Sequence, residues 1–213
     1  MLNKSDQKSV MQLARSYAND GINLLDLRLH PRDQISWHET GLAAADIMKD
    51  QWAKRTNLGN LGNSYLYLGE PWKAIEFYEQ ALKISREIGD HKNEGVWMGN
   101  LGNAYSDLGE SRKAIEFYEQ ALNISVEIGN QQGEGVCLGN LGNRYADLGK
   151  PWKAIEFYDQ ALKISREIGD HKNEGVWLGN LGLAYSHLGE PWKAIEFYEQ
   201  ALKISRDIGD KRN

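Results

Sequence analysis

One stretch of forty residues is written almost twice in this chain. Residues 71–110 read PWKAIEFYEQALKISREIGDHKNEGVWMGNLGNAYSDLGE. Residues 151–190 differ from them only at Glu79/Asp159, Met98/Leu178, Asn103/Leu183 and Asp107/His187. Residues 111–150 and 191–213 keep the same register, with no insertion from Thr56 to Asn213. A fixed period of this length marks a repeat architecture. One unit cannot bury its own apolar face, so its neighbours must cover it.

Each period holds two helical patterns. Trp97, Leu101, Ala104, Tyr105 and Leu108 fall on one stripe of a helix over about 91–108, here type A. Ala74, Ile75, Tyr78, Ala81, Leu82 and Ser85 form the stripe of a second helix over about 71–88, type B, which Phe77 and Ile84 widen so that it packs on two sides. Asp90 suits the N-cap of helix A, Pro71 suits the first position of helix B, and Gly89 and Gly109 stand where left-handed caps are needed. Two-residue connections predict antiparallel neighbours. The 22 glycines, against 4 prolines, thereby acquire periodic addresses. The columns at 69, 109, 149, 189 and at 89, 129, 169, 209 should end helices. The column at 62, 102, 142, 182 should permit close helix packing, and that at 59, 99, 139, 179 should open a groove.

Composition excludes several classes. Prolines are too few for collagen, and 41% hydrophobic residues are too many for a disordered linker. No apolar run approaches the roughly 18 residues of a membrane helix, and the N-terminus lacks a secretory h-region. A net charge of −5 argues against nucleic-acid or anionic-membrane surfaces. The single cysteine, Cys137, can form no internal disulfide and fits a reducing, cytoplasmic setting.

A degenerate unit precedes the clear ones. Pro31, Ile35, Trp37 and Leu42 sit 40 residues before Pro71, Ile75, Phe77 and Leu82, and Leu13, Tyr17 and Gly21 echo the spacing of Leu101, Tyr105 and Gly109. Residues 1–50 are therefore expected to form a worn helical hairpin capping the array, or else an unrelated helical segment. Four repeats follow over 51–213, at about 51–90, 91–130, 131–170 and 171–210.

The run from Leu101 to Leu122, L-G-N-A-Y-x-x-L-G-x-x-x-x-A-I-x-x-Y-x-x-A-L, resembles the tetratricopeptide repeat. The usual unit has about 34 residues. The 40-residue period is similar to the long-repeat subclass of kinesin light chains and of Leu-Gly-Asn-repeat adaptors. The resemblance implies an all-α, right-handed α-solenoid of antiparallel helix pairs, with helix A lining a concave groove. It also implies a non-catalytic protein-interaction scaffold that holds an extended peptide in that groove. The alternative is an oligomerisation or regulatory sensor array within a larger signalling protein.

By the family pattern, Val96, Gly99, Asn103, Ser106 and Asp107 face the groove in one repeat. Their counterparts include Asn63 and Tyr67, Asn143 and Asp147, and Leu183 and His187. Asn60, Asn100, Asn140 and Asn180 lie on a neighbouring strip, where they face a ligand or else bond adjacent repeats. A carboxamide carries donors and an acceptor, which match both groups of a peptide backbone. Gly99, Gly139 and Gly179 would let that backbone approach closely. Chaperone-tail clamps need Lys and Arg on this face, and here stand Val, Thr, Gly and Asn. Asp107 and Asp147 favour a partner with basic residues, or else are solvated helix ends.

Trp97, Trp177 and Cys137 fall on the core stripe. Trp72, Trp152 and Trp192 either fold over the adjacent loop or form an exposed row. The final helix, about 191–208, has an apolar stripe with only Lys211, Arg212 and Asn213 beyond it, so either the chain is cut from a longer array or another molecule covers that face, and self-association through that end is the expectation. No HExxH, CxxC, nucleophile elbow or phosphate loop is present. Neither catalysis, a metal nor a cofactor is therefore expected, and the partners should be proteins or peptides.

Overall fold

The computed structural model describes residues 30–210. All secondary structure among them is helical: α1 (Pro31–Met48), α2 (Gln51–Tyr67), α3 (Pro71–Glu87), α4 (His91–Asp107), α5 (Ser111–Glu127), α6 (Gln131–Asp147), α7 (Pro151–Glu167), α8 (His171–His187) and α9 (Pro191–Asp210). Type A helices are α2, α4, α6 and α8, and type B helices are α1, α3, α5, α7 and α9. The expected positions of Leu13, Tyr17 and Gly21 lie outside the described residues.

The boundaries follow from local chemistry. Asp50, Asn130 and Asp170 accept from the backbone N–H three residues on, at 3.0, 3.1 and 3.1 Å, and so cap α2, α6 and α8. Asp90 caps α4 in the same way, through Asn93 at 3.1 Å. The B helices α1, α3 and α7 begin instead with proline in the first turn. Gly69, Gly89, Gly109, Gly129, Gly149, Gly169 and Gly189 all have φ between 67 and 74°, where a β-carbon would be strained. Gly209 departs from this expectation. It lies within α9, which continues to Asp210.

The described helices fall into two compact units, one ending at Leu108 and the other beginning at Gly109. In the first, α1 packs on α2, α2 on α3 and α3 on α4. In the second, each helix from α5 to α9 packs on the next, and α6 also touches α8. Within each unit, connections of two or three residues make successive helices antiparallel hairpins.

The cores of the two units are built alike. Buried Tyr78 fills the space beside Gly62, and Tyr158 does the same beside Gly142. Trp97 stacks on Tyr78 at 6.2 Å between ring centroids, and Trp177 on Tyr158 at 6.4 Å. Tyr65 stacks on Phe77 and Tyr145 on Phe157, both at 5.3 Å. Cys137 is buried, and desolvation pushes its thiol up to about 11 despite a bond to Ser125. Trp72, Trp152 and Trp192 each stay more than half exposed.

Two members of the fourth glycine column, Gly59 and Gly139, have a different use from the one expected. A β-carbon on Gly139 would overlap the ring of Trp177, and one on Gly59 would overlap Trp97. Both glycines are buried. They admit the tryptophan of the next A helix, not a ligand. Space remains open around Gly99 and Gly179, as expected.

Candidate functional site

The A helices carry every residue singled out for the groove. Asn60, Asn63 and Tyr67 lie on α2, and Asn100, Asn103 and Asp107 on α4. In the second unit Asn140, Asn143 and Asp147 lie on α6, and Asn180 and His187 on α8. The seven asparagines are half-buried, whereas Tyr67, Asp107, Asp147 and His187 are exposed.

Two groups of three residues recur, one in each unit. In the first, the Tyr78 hydroxyl donates to Asn63 Oδ1 at 2.8 Å, and Asn100 Nδ2 donates to the same oxygen at 3.3 Å. In the second, Tyr158 donates to Asn143 Oδ1 at 2.8 Å, and Asn180 Nδ2 donates to it at 3.0 Å. Two donors on one oxygen fix which way each carboxamide faces. Each node therefore keeps the Nδ2 donors of Asn63 or Asn143 and the Oδ1 acceptor of Asn100 or Asn180. The strip of Asn100 and Asn180 thus does bond adjacent repeats, while one acceptor on each stays unused. Asn60 differs, since its Nδ2 is buried without a hydrogen bond.

The sequence pattern places Tyr78 and Tyr158 in the core and leaves their hydroxyls without a role. The available signal is that a buried tyrosine needs a partner for its O–H. Burial raises both phenols, Tyr158 to about 12. The neighbouring charge of Asp147 raises Tyr158 further while Arg144 opposes it, and Tyr67 and Asp107 add to the rise at Tyr78.

The flanks of the two nodes differ. Beside Tyr158, residues of α6, α7 and α8 enclose a recess of about 330 Å³ that includes Asp147, Asn180, Leu183 and His187. Arg144 Nη1 holds Asp147 Oδ2 at 3.1 Å. In the first unit Tyr67 stands in the place of Asp147, Asp107 in that of His187, and Asn103 in that of Leu183.

Among the described residues, no group of three His, Cys, Asp or Glu side chains could hold a metal ion, and no helix is long and apolar enough to cross a membrane. His91 and His171 each bond a glutamate of their own turn, Glu94 at 3.2 Å and Glu174 at 3.1 Å.

Solved structures share this architecture. BtubC (BKLC) from P. vanneervenii superposes with a TM-score of 0.79 at 23% identity, over 96% of this chain and 90% of that one. Nearly identical TPR-like repeats of a Podosopora anserina protein assigned to the kinesin light chains give 0.67 at 21% identity, over 98% of this chain and 99% of that one. Aspartyl phosphate phosphatase F from Bacillus subtilis gives 0.84 at 19% identity, where 94% of this chain spans 53% of that longer one. These likenesses establish an all-α repeat solenoid. No curated protein matches the sequence. The family model of the tetratricopeptide repeat matches residues 53–127 and 136–207, well over half of the chain. Proteins of that fold generally mediate protein–protein interaction as non-catalytic scaffolds. The helix pairs, the glycine caps and this match together place the chain in the tetratricopeptide repeat family.

Proposed function

We propose that the chain is an interaction scaffold that holds an extended segment of a partner protein along its A helices. The observation that carries this reading is the pair of asparagine–tyrosine nodes. Each presents unused N–H donors on Asn63 or Asn143 and an unused acceptor on Asn100 or Asn180. An extended peptide has one carbonyl and one N–H per residue, so a single node satisfies both groups of one backbone unit. Tyr78 and Tyr158 hold the carboxamides in place beforehand, which lowers the ordering cost of binding. Asp107 and Asp147 lie beside the nodes and suit a partner segment carrying basic residues.

The test uses the full chain. Peptides of twelve random residues are selected on it by display, and their affinities are compared with those for Asn143→Asp and Asn63→Asp. The aspartate still accepts from tyrosine but removes the carboxamide donors. Affinity should fall at least tenfold in one variant or the other, while circular dichroism matches the parent. Undiminished binding by both folded variants overturns the groove reading.

A second reading, self-association, rests on α9. Its Ile195, Tyr198 and Leu202 are 46, 42 and 50% exposed. Their counterparts on α7, Ile155, Tyr158 and Leu162, are 6, 3 and 6% exposed beneath α8. The faces have the same residues at these positions, so an A-type helix of a second copy fits α9 as α8 fits α7. Light scattering should then show association that Leu202→Glu abolishes. A monomer at several hundred micromolar overturns it.

A further inference from the structure

The recess beside Tyr158 has a chemistry of its own. Its apolar wall comes from Leu183, Ala146 and Ala184. Leu183 stands where Asn63, Asn103 and Asn143 stand in the other repeats, so this wall exists in one repeat alone. The polar atoms at its rim are mainly acceptors. Asp147 spends Oδ2 on Arg144 and keeps Oδ1. Asn180 spends Nδ2 on Asn143 and keeps Oδ1. The His187 ring makes no hydrogen bond and offers one acceptor while neutral. Helices α6 and α8 both end here, at Asp147 and His187, and α7 starts here at Pro151, so the partial charges of the helix ends largely offset and the net charge at the rim is that of Asp147.

We infer that this recess receives one basic side chain, arginine or lysine, of the partner segment; the assignment rests on the groove reading above. A guanidinium or ammonium head has donors only, which match Asp147 Oδ1, Asn180 Oδ1 and the His187 ring. The alkyl stem lies along Leu183 and the two alanines, as long basic side chains do on apolar surface. A carboxylate would meet the like charge of Asp147 and find acceptors at Asn180 and Asp147 in place of donors. A purely apolar side chain would fill the space but strip water from three acceptors and replace none of their hydrogen bonds. A volume of about 330 Å³ lies at the low end of small-molecule pockets, roughly 300–1,000 Å³, and suits a single side chain.

The probe is N-acetyl-arginine N-methylamide, titrated into the full chain carrying labelled leucine methyl groups. The lysine, norleucine and glutamate analogues serve as comparators. Leu183 methyl and His187 ring signals should shift saturably with the arginine and lysine probes. Affinity should be at least tenfold weaker for norleucine and glutamate, and should fall at least fivefold in Asp147→Asn. Norleucine binding as tightly as arginine, or arginine binding unchanged by Asp147→Asn, overturns the assignment. If that happens while displayed peptides still lose affinity to Asn143→Asp, the groove reading stands and only the recess fails. If arginine binds as expected but displayed peptides ignore both aspartate variants, the groove reading falls and takes the partner assignment with it.

Discussion

The ring of Trp177 occupies the place where Gly139 would carry a side chain. The two residues sit on successive A helices, α6 and α8, so the glycine is the socket by which one repeat receives the next. Gly179 lies one repeat further along the same column, and a β-carbon there meets nothing within 4 Å. The same substitution should therefore have opposite effects. Gly139→Ala must displace a buried indole, an overpacking cost of about 1–3 kcal/mol. Gly179→Ala meets no neighbour and gains helix propensity, up to about 1 kcal/mol. Urea midpoints should fall for the first and rise for the second. Equal shifts would refute the socket.

Much of this fold is legible in the sequence, because each element announces itself locally. Asp90 and Asp170 cap, Pro71 and Pro151 start helices, and the glycines at 69, 89, 109, 129, 149, 169 and 189 stop them. What the sequence hides is contact between repeats. Gly139 and Trp177 are 38 positions apart, and nothing in the period says that the indole reaches back to that glycine rather than leaving it to a ligand. The nodes are hidden in the same way. Asn143 and Asn180 occupy adjacent strips of the pattern, and only the packing of α6, α7 and α8 brings the Tyr158 hydroxyl and the Asn180 carboxamide to one oxygen of Asn143.

Asp90 should matter more than its twin Asp170. Both cap an A helix and accept from the side chain of the following asparagine, at 2.9 and 2.7 Å. Asp90 alone also holds buried Arg55, which stands where the later repeats have Gly95, Gly135 and Gly175. Losing a cap costs about 1 kcal/mol. Leaving a buried charge without its partner costs about 3–5 kcal/mol. Asp90→Ala should thus destabilise by about 3 kcal/mol more than Asp170→Ala, the lower end of that buried-charge cost. Replacing Arg55 by Gly in the Asp90→Ala background should recover most of the difference. Equal losses in thermal unfolding would show the ion pair to be inert.

The tyrosine nodes predict an alkaline weakness. Burial raises the Tyr158 phenol from 10 to about 12, with the charge of Asp147 adding to it. The unfolded chain therefore releases this proton at lower pH than the folded one. The resulting stability is complete below pH 10 and is lost as pH rises from there through about 12. Tyr78 acts in the same direction. Tyr158→Phe should be less stable at pH 7, by about 1 kcal/mol for the lost hydrogen bond. Its stability should also decline less steeply above pH 10. Parallel pH curves for the two proteins would contradict the raised phenol.

At the acid end, Glu174 should dominate its turn. Burial disfavours its charge, but hydrogen bonds from Arg166 Nε at 2.9 Å and His171 Nδ1 at 3.1 Å outweigh that and hold its carboxyl below 4.5. The unfolded chain therefore takes up the proton first as pH falls. Stability is fully present above 4.5 and is lost as pH drops through the lower folded value. Glu94 repeats the arrangement with Arg86 at 2.8 Å and His91 at 3.2 Å. The turn between α5 and α6 lacks it, because Val126 and Gln131 replace the arginine and the histidine that would face Glu134. Glu174→Gln should flatten the stability curve below pH 4.5, where the unfolded chain takes up the proton before the folded one. Installing Val126→Arg with Gln131→His should steepen that limb and raise the urea midpoint at pH 6, by roughly 0.5 kcal/mol for a partly exposed pair. A double variant no more stable than the parent at pH 6 would mean that these turns owe nothing to their ion pairs.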